Sequence, residues 1–133
     1  MKVFALCDCN SFYAKCEEIF QPAIRNTPVI VLSNNDGCII ARNAQAKALG
    51  VAMGAPYFQI RDFIAQEGIN AFSSNYGLYA DVSRRVMQTI QSQVPDIEVY
   101  SIDECWADLE GIPGSLEVFG AAIKAKVQRD VGM

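Results

Sequence analysis

VFALCD (residues 3–8) decides the fold, because five apolar residues run directly into a carboxylate. A short, continuous apolar run is typical of a buried strand. Asn10 or Ser11 can then cap a helix whose apolar residues recur at helical spacing, and Pro22 ends that helix. The chain is therefore predicted to open as strand, turn and helix, with a carboxylate at the strand end.

Two further carboxylates stand between two later apolar segments. Residues 97–102 and 105–109 are predicted strands joined at Asp103 and Glu104. If they share a sheet with the opening strand, these two side chains and Asp8 meet at one edge, although the chain between them is long. Successive strand residues point to opposite faces, so Asp103 and Glu104 can serve one site only where the backbone bends or twists.

The segment between these strands has a pattern of its own. Asp36 and Gly37 lie between two apolar runs and are a strong hairpin signal. Periodicity and capping predict strands at 28–32, 38–41 and 69–72, and helices at 43–49, 57–66, 76–91 and 115–129. We expect an α+β domain with helices on one face of a mainly antiparallel sheet, and residues from about 20 to 75 inserted between two halves of that sheet.

Composition excludes several kinds of chemistry. The 133 residues include no histidine, so Ser-His-Asp and Cys-His nucleophilic schemes are absent. Five cysteines form no C-x-x-C pair, which argues against a zinc site or a disulfide framework. A net charge of −4 is the wrong sign for a chain that neutralises a phosphate backbone unaided.

The same composition bears on location. No apolar run approaches the roughly 18 to 20 residues that a bilayer span needs. The opening apolar run meets Asp8 at once and lacks a small-residue cleavage site, so it is not a signal peptide. We expect a cytoplasmic protein that makes no membrane contact.

Oxygen-rich acidic clusters favour hard divalent cations. Two such ions about 3.5 to 4 Å apart can activate a 3′ hydroxyl and stabilise a leaving pyrophosphate. Each carboxylate also has a simpler interpretation: Asp8 as a capping or turn residue, and Asp103 with Glu104 as the polar tip of a hairpin. The pattern of residues alone leaves both interpretations open.

Three motifs occur in order along the chain and carry a resemblance. They are FALCDCNSFYA (4–14), VLSNNDGCIIARNAQAKALG (31–50) and SIDE (101–104). Together they resemble the Y-family, or lesion-bypass, DNA polymerases, and the second is most similar to the UmuC-like branch, the catalytic subunit of DNA polymerase V. The similarity runs from residue 2 to about residue 130.

The resemblance implies an architecture and an activity. Residues 1–20 and 76–133 would form a palm-type sheet and residues 21–75 a small α/β fingers subdomain, with the rest of the palm, the thumb and the little finger outside this chain. The implied activity is template-directed transfer of deoxynucleotides to a primer 3′ end, in DNA repair and the SOS response. We expect this piece alone to be poorly active and inclined to self-associate.

The resemblance also implies the metal site. Asp8 and Asp103 would be shared ligands of two Mg²⁺ ions, with the backbone carbonyl of Cys9 as a further ligand. Glu104 would complete the acidic trio near the primer hydroxyl. Asp8, Asp103 and Glu104 are thus the expected catalytic residues.

A second group of residues would bind the nucleotide. Backbone amides of Ser11 and Phe12, which open a helix, would approach the triphosphate oxygens. Tyr13 would lie under the sugar and obstruct a 2′ hydroxyl. Lys47 stands where the family usually has a phosphate-binding arginine, and Ala44 departs from a usual tyrosine.

Partners follow from the same resemblance: primer-template DNA, a deoxynucleoside triphosphate, a UmuD-type dimer and the RecA filament. Three alternative functions are to be compared with this one. A truncated polymerase could act as an interaction module. A phosphohydrolase with a D-x-D-x-T start is disfavoured because Asn10 replaces the second aspartate, and a nucleotide cyclase because its expected hairpin is not SIDE.

Overall fold

The structure is a computed structural model that describes residues 2–133. Its strands are β1 (Phe4–Asp8), β2 (Val29–Leu32), β3 (Ile39–Arg42), β4 (Asn70–Phe72), β5 (Asp96–Ser101) and β6 (Glu104–Asp108). Its helices are α1 (Phe12–Ile19), α2 (Ala44–Ala48), α3 (Tyr57–Gln66), α4 (Tyr76–Gln91) and α5 (Leu116–Asp130). The mixed architecture confirms the predicted α+β fold class.

The chain divides into two compact units. One unit contains the residues up to Asn10 together with Gly77–Met133, and the other contains Ser11–Tyr76. The first unit is therefore discontinuous in sequence, and the second is an uninterrupted insertion. The subdomain boundaries 1–20, 21–75 and 76–133 stay a prediction.

The first unit is built on an antiparallel sheet with strand order β1-β6-β5. Its central strand, β6, pairs with β1 in a register that runs from Phe4 opposite Asp108 to Asp8 opposite Glu104. The opening strand is thereby joined to strands that lie almost a hundred residues later, as the sequence predicted.

The faces of this sheet differ in exposure. Cys105 and Ala107 are fully buried, whereas Phe4, Leu6 and Trp106 on the opposite face are 41% to 54% exposed. The helices of this unit bury apolar stripes at helical spacing: Val82, Val86 and Ile90 on α4, and Ile123 and Val127 on α5. Helices therefore cover one face of the sheet, and the other face is open.

The second unit has its own sheet, with order β3-β2-β4. β2 and β3 form the antiparallel hairpin that the Asp-Gly signal predicted, and β4 pairs with β2 in parallel. The buried cluster beneath it consists of Ile30, Leu32, Ile39, Ala46, Val51, Ile64 and Ile69. Among the described residues, no helix is long and apolar enough to cross a membrane.

The hairpin between β5 and β6 corrects one prediction. Ser101 pairs with Glu104, so the turn consists of Ile102 and Asp103, and not of Asp103 and Glu104. The register shifts between Val99 and Ser101, which adds one unpaired residue to β5. Pairing with β1 draws Glu104 into the strand, a tertiary effect that the local sequence does not encode.

Candidate active site

Three carboxylates meet where β1 ends and β6 begins. Asp8 is the last residue of β1 and lies directly opposite Glu104, the first residue of β6. Asp103 occupies the preceding turn. Each of the three offers an oxygen, and these oxygens all lie within 4.8 Å of one another. The fold thus gathers the three acids singled out from the sequence.

The hydrogen-bond pattern of the ladder explains why two of them are so close. The amide of Cys9 donates to the carbonyl of Asp103 over 2.9 Å. Hydrogen-bonded and non-hydrogen-bonded pairs alternate along an antiparallel ladder, so the adjacent pair Asp8–Glu104 is of the non-hydrogen-bonded type. Such pairs have the shorter Cα separation, about 4.5 Å, and their side chains lie closer together.

Asp103 joins the pair because it lies in the turn and not in a strand. The alternation that would separate Asp103 from Glu104 therefore does not apply, and the backbone irregularity required by the sequence argument is present as the turn and the register shift. Ser101 Oγ donates to Asp103 Oδ1 over 2.9 Å and helps to hold the carboxylate. The sequence alone indicates no role for Ser101. The only signal for this residue is its position in the motif SIDE (101–104).

The charge of the cluster is not balanced by a neighbouring base. No ion pair within residues 2–133 involves Asp8, Asp103 or Glu104. Asp8 is exposed and the other two are half-buried, so the cluster opens to solvent. Clustered carboxylate oxygens with this accessibility fit a hard divalent cation.

Cys9 lies beside the carboxylates but does not add a thiolate to them. Burial raises the pKa of Cys9 to about 12, and the negative charges of Asp103 and Asp8 contribute to that shift. The thiol is therefore protonated at neutral pH. Of this residue, the backbone carbonyl is the group suited to a hard cation.

The residue pair next to Asp8 and Glu104 in the β1–β6 ladder carries two thiols. Cys7 and Cys105 are opposite each other, and their side chains are hydrogen-bonded. The hydrogen bond to Cys7 and then burial raise the pKa of Cys105 far above its ordinary value. The pKa of Cys7 is lowered to about 7 by the same hydrogen bond, so Cys7 is the first of the two to ionise.

The residues predicted to bind nucleotide lie in the second unit. Ser11 is the N-cap of α1, with a left-handed φ of 53° and no side-chain capping bond. The side chain of Phe12 is buried, with 4% of its surface exposed, so only its backbone amide is left for a ligand. The Tyr13 ring lies edge-on to the rings of Phe12 (5.9 Å) and Tyr76 (6.2 Å), which fixes its orientation.

Lys47 lies elsewhere in the same unit, exposed in the last turn of α2. Ala44 is the first residue of that helix. Arg42, another base of this region, donates to the backbone carbonyl of Val51. The structure thus places the acids with Cys9 in the first unit, and Ser11, Tyr13 and Lys47 in the second.

Known proteins are similar to this chain in sequence. The sequence model of the impB/mucB/samB family matches residues 7–133. Protein ImpB of Salmonella typhimurium is 52% identical over 133 residues, covering 98% of this chain and 31% of the relative. Protein UmuC of Salmonella typhimurium is 53% identical over 127 residues, covering 94% and 30%. DNA polymerase IV of Moorella thermoacetica is 29% identical over 135 residues, covering 96% and 33%.

Solved structures share the fold. A Dbh ternary complex superposes with a TM-score of 0.83 at 27% identity, covering 97% of this chain and 38% of that one. A Y-family DNA polymerase chimera of Dbh and Dpo4 gives a TM-score of 0.83 at 25% identity, covering 97% and 39%.

The chain spans about a third of the length of the curated relatives it matches. The match nevertheless covers nearly all of its own residues and confirms the resemblance drawn from the three motifs. The chain belongs to the impB/mucB/samB family.

Proposed function

We propose that this chain is the N-terminal catalytic portion of a translesion DNA polymerase, which transfers deoxynucleotides to a primer 3′ end by a two-metal mechanism. The observation that carries the proposal is the acidic cluster of Asp8, Asp103 and Glu104, with oxygens within 4.8 Å of one another. Similarity to protein UmuC and to DNA polymerase IV supports the same assignment.

The three acids take two roles in this proposal. Asp8 and Asp103 would hold the two Mg²⁺ ions, and the carbonyl of Cys9 would supply a further oxygen. Glu104, opposite Asp8 in the ladder, lies toward the primer hydroxyl. Bound Mg²⁺ supplies activation of the 3′ hydroxyl and stabilisation of the departing pyrophosphate. Ser101 orients the Asp103 carboxylate for this task.

The nucleotide is bound by the second unit. Helix N-termini carry amides without intrahelical partners and attract anions, so the amides of Ser11 and Phe12 suit the triphosphate. Tyr13, held by two edge-on ring contacts, lies under the sugar and excludes a 2′ hydroxyl. Lys47 is exposed and offers a point charge to a phosphate, without the fork of an arginine.

The partners follow from the relatives. Solved neighbours include ternary and binary polymerase complexes, which supports primer-template DNA and a deoxynucleoside triphosphate as ligands. Likeness to protein UmuC extends the proposal to a UmuD-type dimer, to the RecA filament and to action in the cytoplasm during the SOS response. The net charge of −4 suggests that this stretch alone grips DNA weakly.

The experiment is calorimetric titration of Mg²⁺ with a deoxynucleoside triphosphate into the 133-residue chain. Asp8→Asn and Asp103→Asn are expected to abolish binding, whereas Glu98→Gln is expected to retain it. Glu98 is a matched control because it lies exposed on β5 and its change removes the same charge. A folded chain that binds nothing would contradict the proposal and favour the interaction-module alternative.

A further inference from the structure

Cys7 and Cys105 form a pair of opposed thiols in the first unit. They are direct partners in the β1–β6 ladder, one pair beyond Asp8 and Glu104. Both lie on the covered face of the sheet, and their side chains are hydrogen-bonded to each other. No metal-ligand group in residues 2–133 includes either thiol, so a soft-metal site does not explain the pair.

The ladder sets a Cα–Cα separation of Cys7 and Cys105 that lies within the range of disulfides. Because the Cys9–Asp103 pair is hydrogen-bonded, alternation makes Cys7–Cys105 a hydrogen-bonded pair as well, with a Cα separation of about 5.5 Å. Disulfides span Cα distances of about 4.4 to 6.8 Å, with the commonest values near 5.5 to 6 Å. Opposite Cβ atoms are about 4.5 to 5.5 Å apart, with hydrogen-bonded pairs at the longer end, whereas a disulfide needs about 3.5 to 4.5 Å. The two strands must therefore approach by about 1 Å to accept the bond.

The neighbouring thiol of Cys9 is less well placed. Its position relative to Cys105 is diagonal, and diagonal neighbours are about 7 to 8 Å apart, with their Cβ atoms somewhat closer. Cβ atoms joined by a disulfide are only about 3.5 to 4.5 Å apart. The geometry thus selects Cys7 as the partner of Cys105.

The two thiols also differ in access to solvent. Cys7 is half-buried, whereas Cys105 has no exposed surface. We infer that Cys7 and Cys105 are a redox modification site, at which a peroxide oxidises Cys7 and Cys105 closes a reversible intramolecular disulfide. This inference is independent of the proposed polymerase function.

The reaction balances in two steps. Hydrogen peroxide transfers one oxygen to the Cys7 sulfur, which gives a sulfenic acid and one water as the O–O bond breaks. The Cys105 sulfur then bonds to the Cys7 sulfur and displaces hydroxide from it. The hydroxide takes up the Cys105 thiol proton and leaves as a second water. The two sulfurs together lose two electrons and the peroxide gains them. A dithiol such as dithiothreitol reverses the change by exchange.

Such a bond would join the two sequence-distant parts of the first unit. It would tie β1 to the central strand, one residue from Asp8 on one side and one residue from Glu104 on the other. A peroxide signal would thereby reach the strand pair that carries the acidic cluster.

The test is peptide mapping of the 133-residue chain after treatment with hydrogen peroxide and alkylation of the remaining thiols. Trypsin leaves Cys7 and Cys9 together in residues 3–15 and Cys105 alone in residues 86–124. We expect these two peptides to be joined, two hydrogen masses lighter than their sum, and to separate again with dithiothreitol.

Two variants identify the sulfur in the shared peptide. The joined pair is expected to persist in Cys9→Ser and to disappear in Cys7→Ser, with circular dichroism of both variants as the check of folding. The inference is overturned if peroxide yields only sulfenic or sulfinic acid at Cys7, if the link persists in Cys7→Ser, or if the cysteines link different molecules.

Discussion

At Asp103, a neighbouring hydroxyl restrains a carboxylate that would otherwise move freely in a turn. Ser101 Oγ donates to Asp103 Oδ1 over 2.9 Å. Groups that orient metal ligands contribute measurably to the affinity for the metal. A hydrogen bond of about 0.5 to 1.5 kcal/mol corresponds to roughly a two- to tenfold change in binding.

Ser101→Ala is therefore expected to weaken Mn²⁺ binding by that factor, measured by electron paramagnetic resonance of the free ion. Ser92→Ala is the control, because the exposed Ser92 hydroxyl, just after α4, donates to the Thr89 carbonyl and accepts from Gln93 Nε2, and neither bond involves the acidic cluster. Unchanged affinity in Ser101→Ala would show that the turn positions Asp103 without its help.

A second prediction concerns Tyr13 and rests on its proposed contact with the sugar. Tyr13→Ala is expected to raise the affinity for a ribonucleoside triphosphate toward that for the deoxy form, so that their ratio approaches one. Competition calorimetry in Mg²⁺ measures both affinities. Tyr100→Ala is the control, since the Tyr100 side chain is 71% exposed on β5. A ratio that does not change would remove Tyr13 from sugar selection.

Asn43 joins four parts of the second unit through the hydrogen bonds of its side chain. Its Oδ1 accepts hydrogen bonds from the amides of Val29 and Ala46, at 3.0 Å each. Its Nδ2 donates to Glu18 Oε1 (2.8 Å) and to the Thr27 carbonyl (2.7 Å). The side chain thereby caps α2 and ties it to β2 and to a buried carboxylate of α1.

Asn43→Ala is expected to lower the free energy of unfolding by about 3 kcal/mol, because it leaves several buried polar groups unpaired. Urea denaturation measures this loss. Gln59→Ala, an exposed change on α3, is expected to stay within about 0.5 kcal/mol of the original chain. Equal midpoints for the two variants would contradict the role given to Asn43.

Much of the element pattern could be predicted from the sequence. The bounds of α3 and α4 match the predictions residue for residue, because apolar periodicity and flanking Pro56, Gly68 and Pro95 act locally. The sequence predicts the β5–β6 turn one residue late, because pairing with β1, a contact between distant parts of the chain, sets its position at Ile102 and Asp103. The contacts of Ser101 and Asn43 were not foreseen, since they depend on the three-dimensional placement of their partners.

At the scale of the whole molecule, the first unit depends on contacts between distant parts of the chain. β1 lies at the edge of a sheet whose other two strands lie in Gly77–Met133, and its loss would expose the bonding edge of the central strand. A chain that begins at Asn10 is expected to lose ordered structure in β5 and β6 and to bind a dye specific for exposed apolar surface.

Amide resonances of Cys105 and Ala107 provide the measurement, since both residues lie in β6. Phe4→Ala is the control, because it keeps the β1 backbone and alters only a side chain on the open face. Native-like resonances in the shortened chain would show that the first unit does not need its opening strand.

The proposed polymerase function requires Asp8, Asp103 and Glu104 to form one divalent-cation site. Its most direct test is a titration of the 133-residue chain with Mn²⁺, an oxygen-seeking stand-in for Mg²⁺, followed by electron paramagnetic resonance. We expect Mn²⁺ to bind, and we expect Asp103→Asn or Asp8→Asn to weaken this binding at least tenfold while Glu98→Gln leaves it unchanged. Equal binding by all four proteins would contradict this expectation.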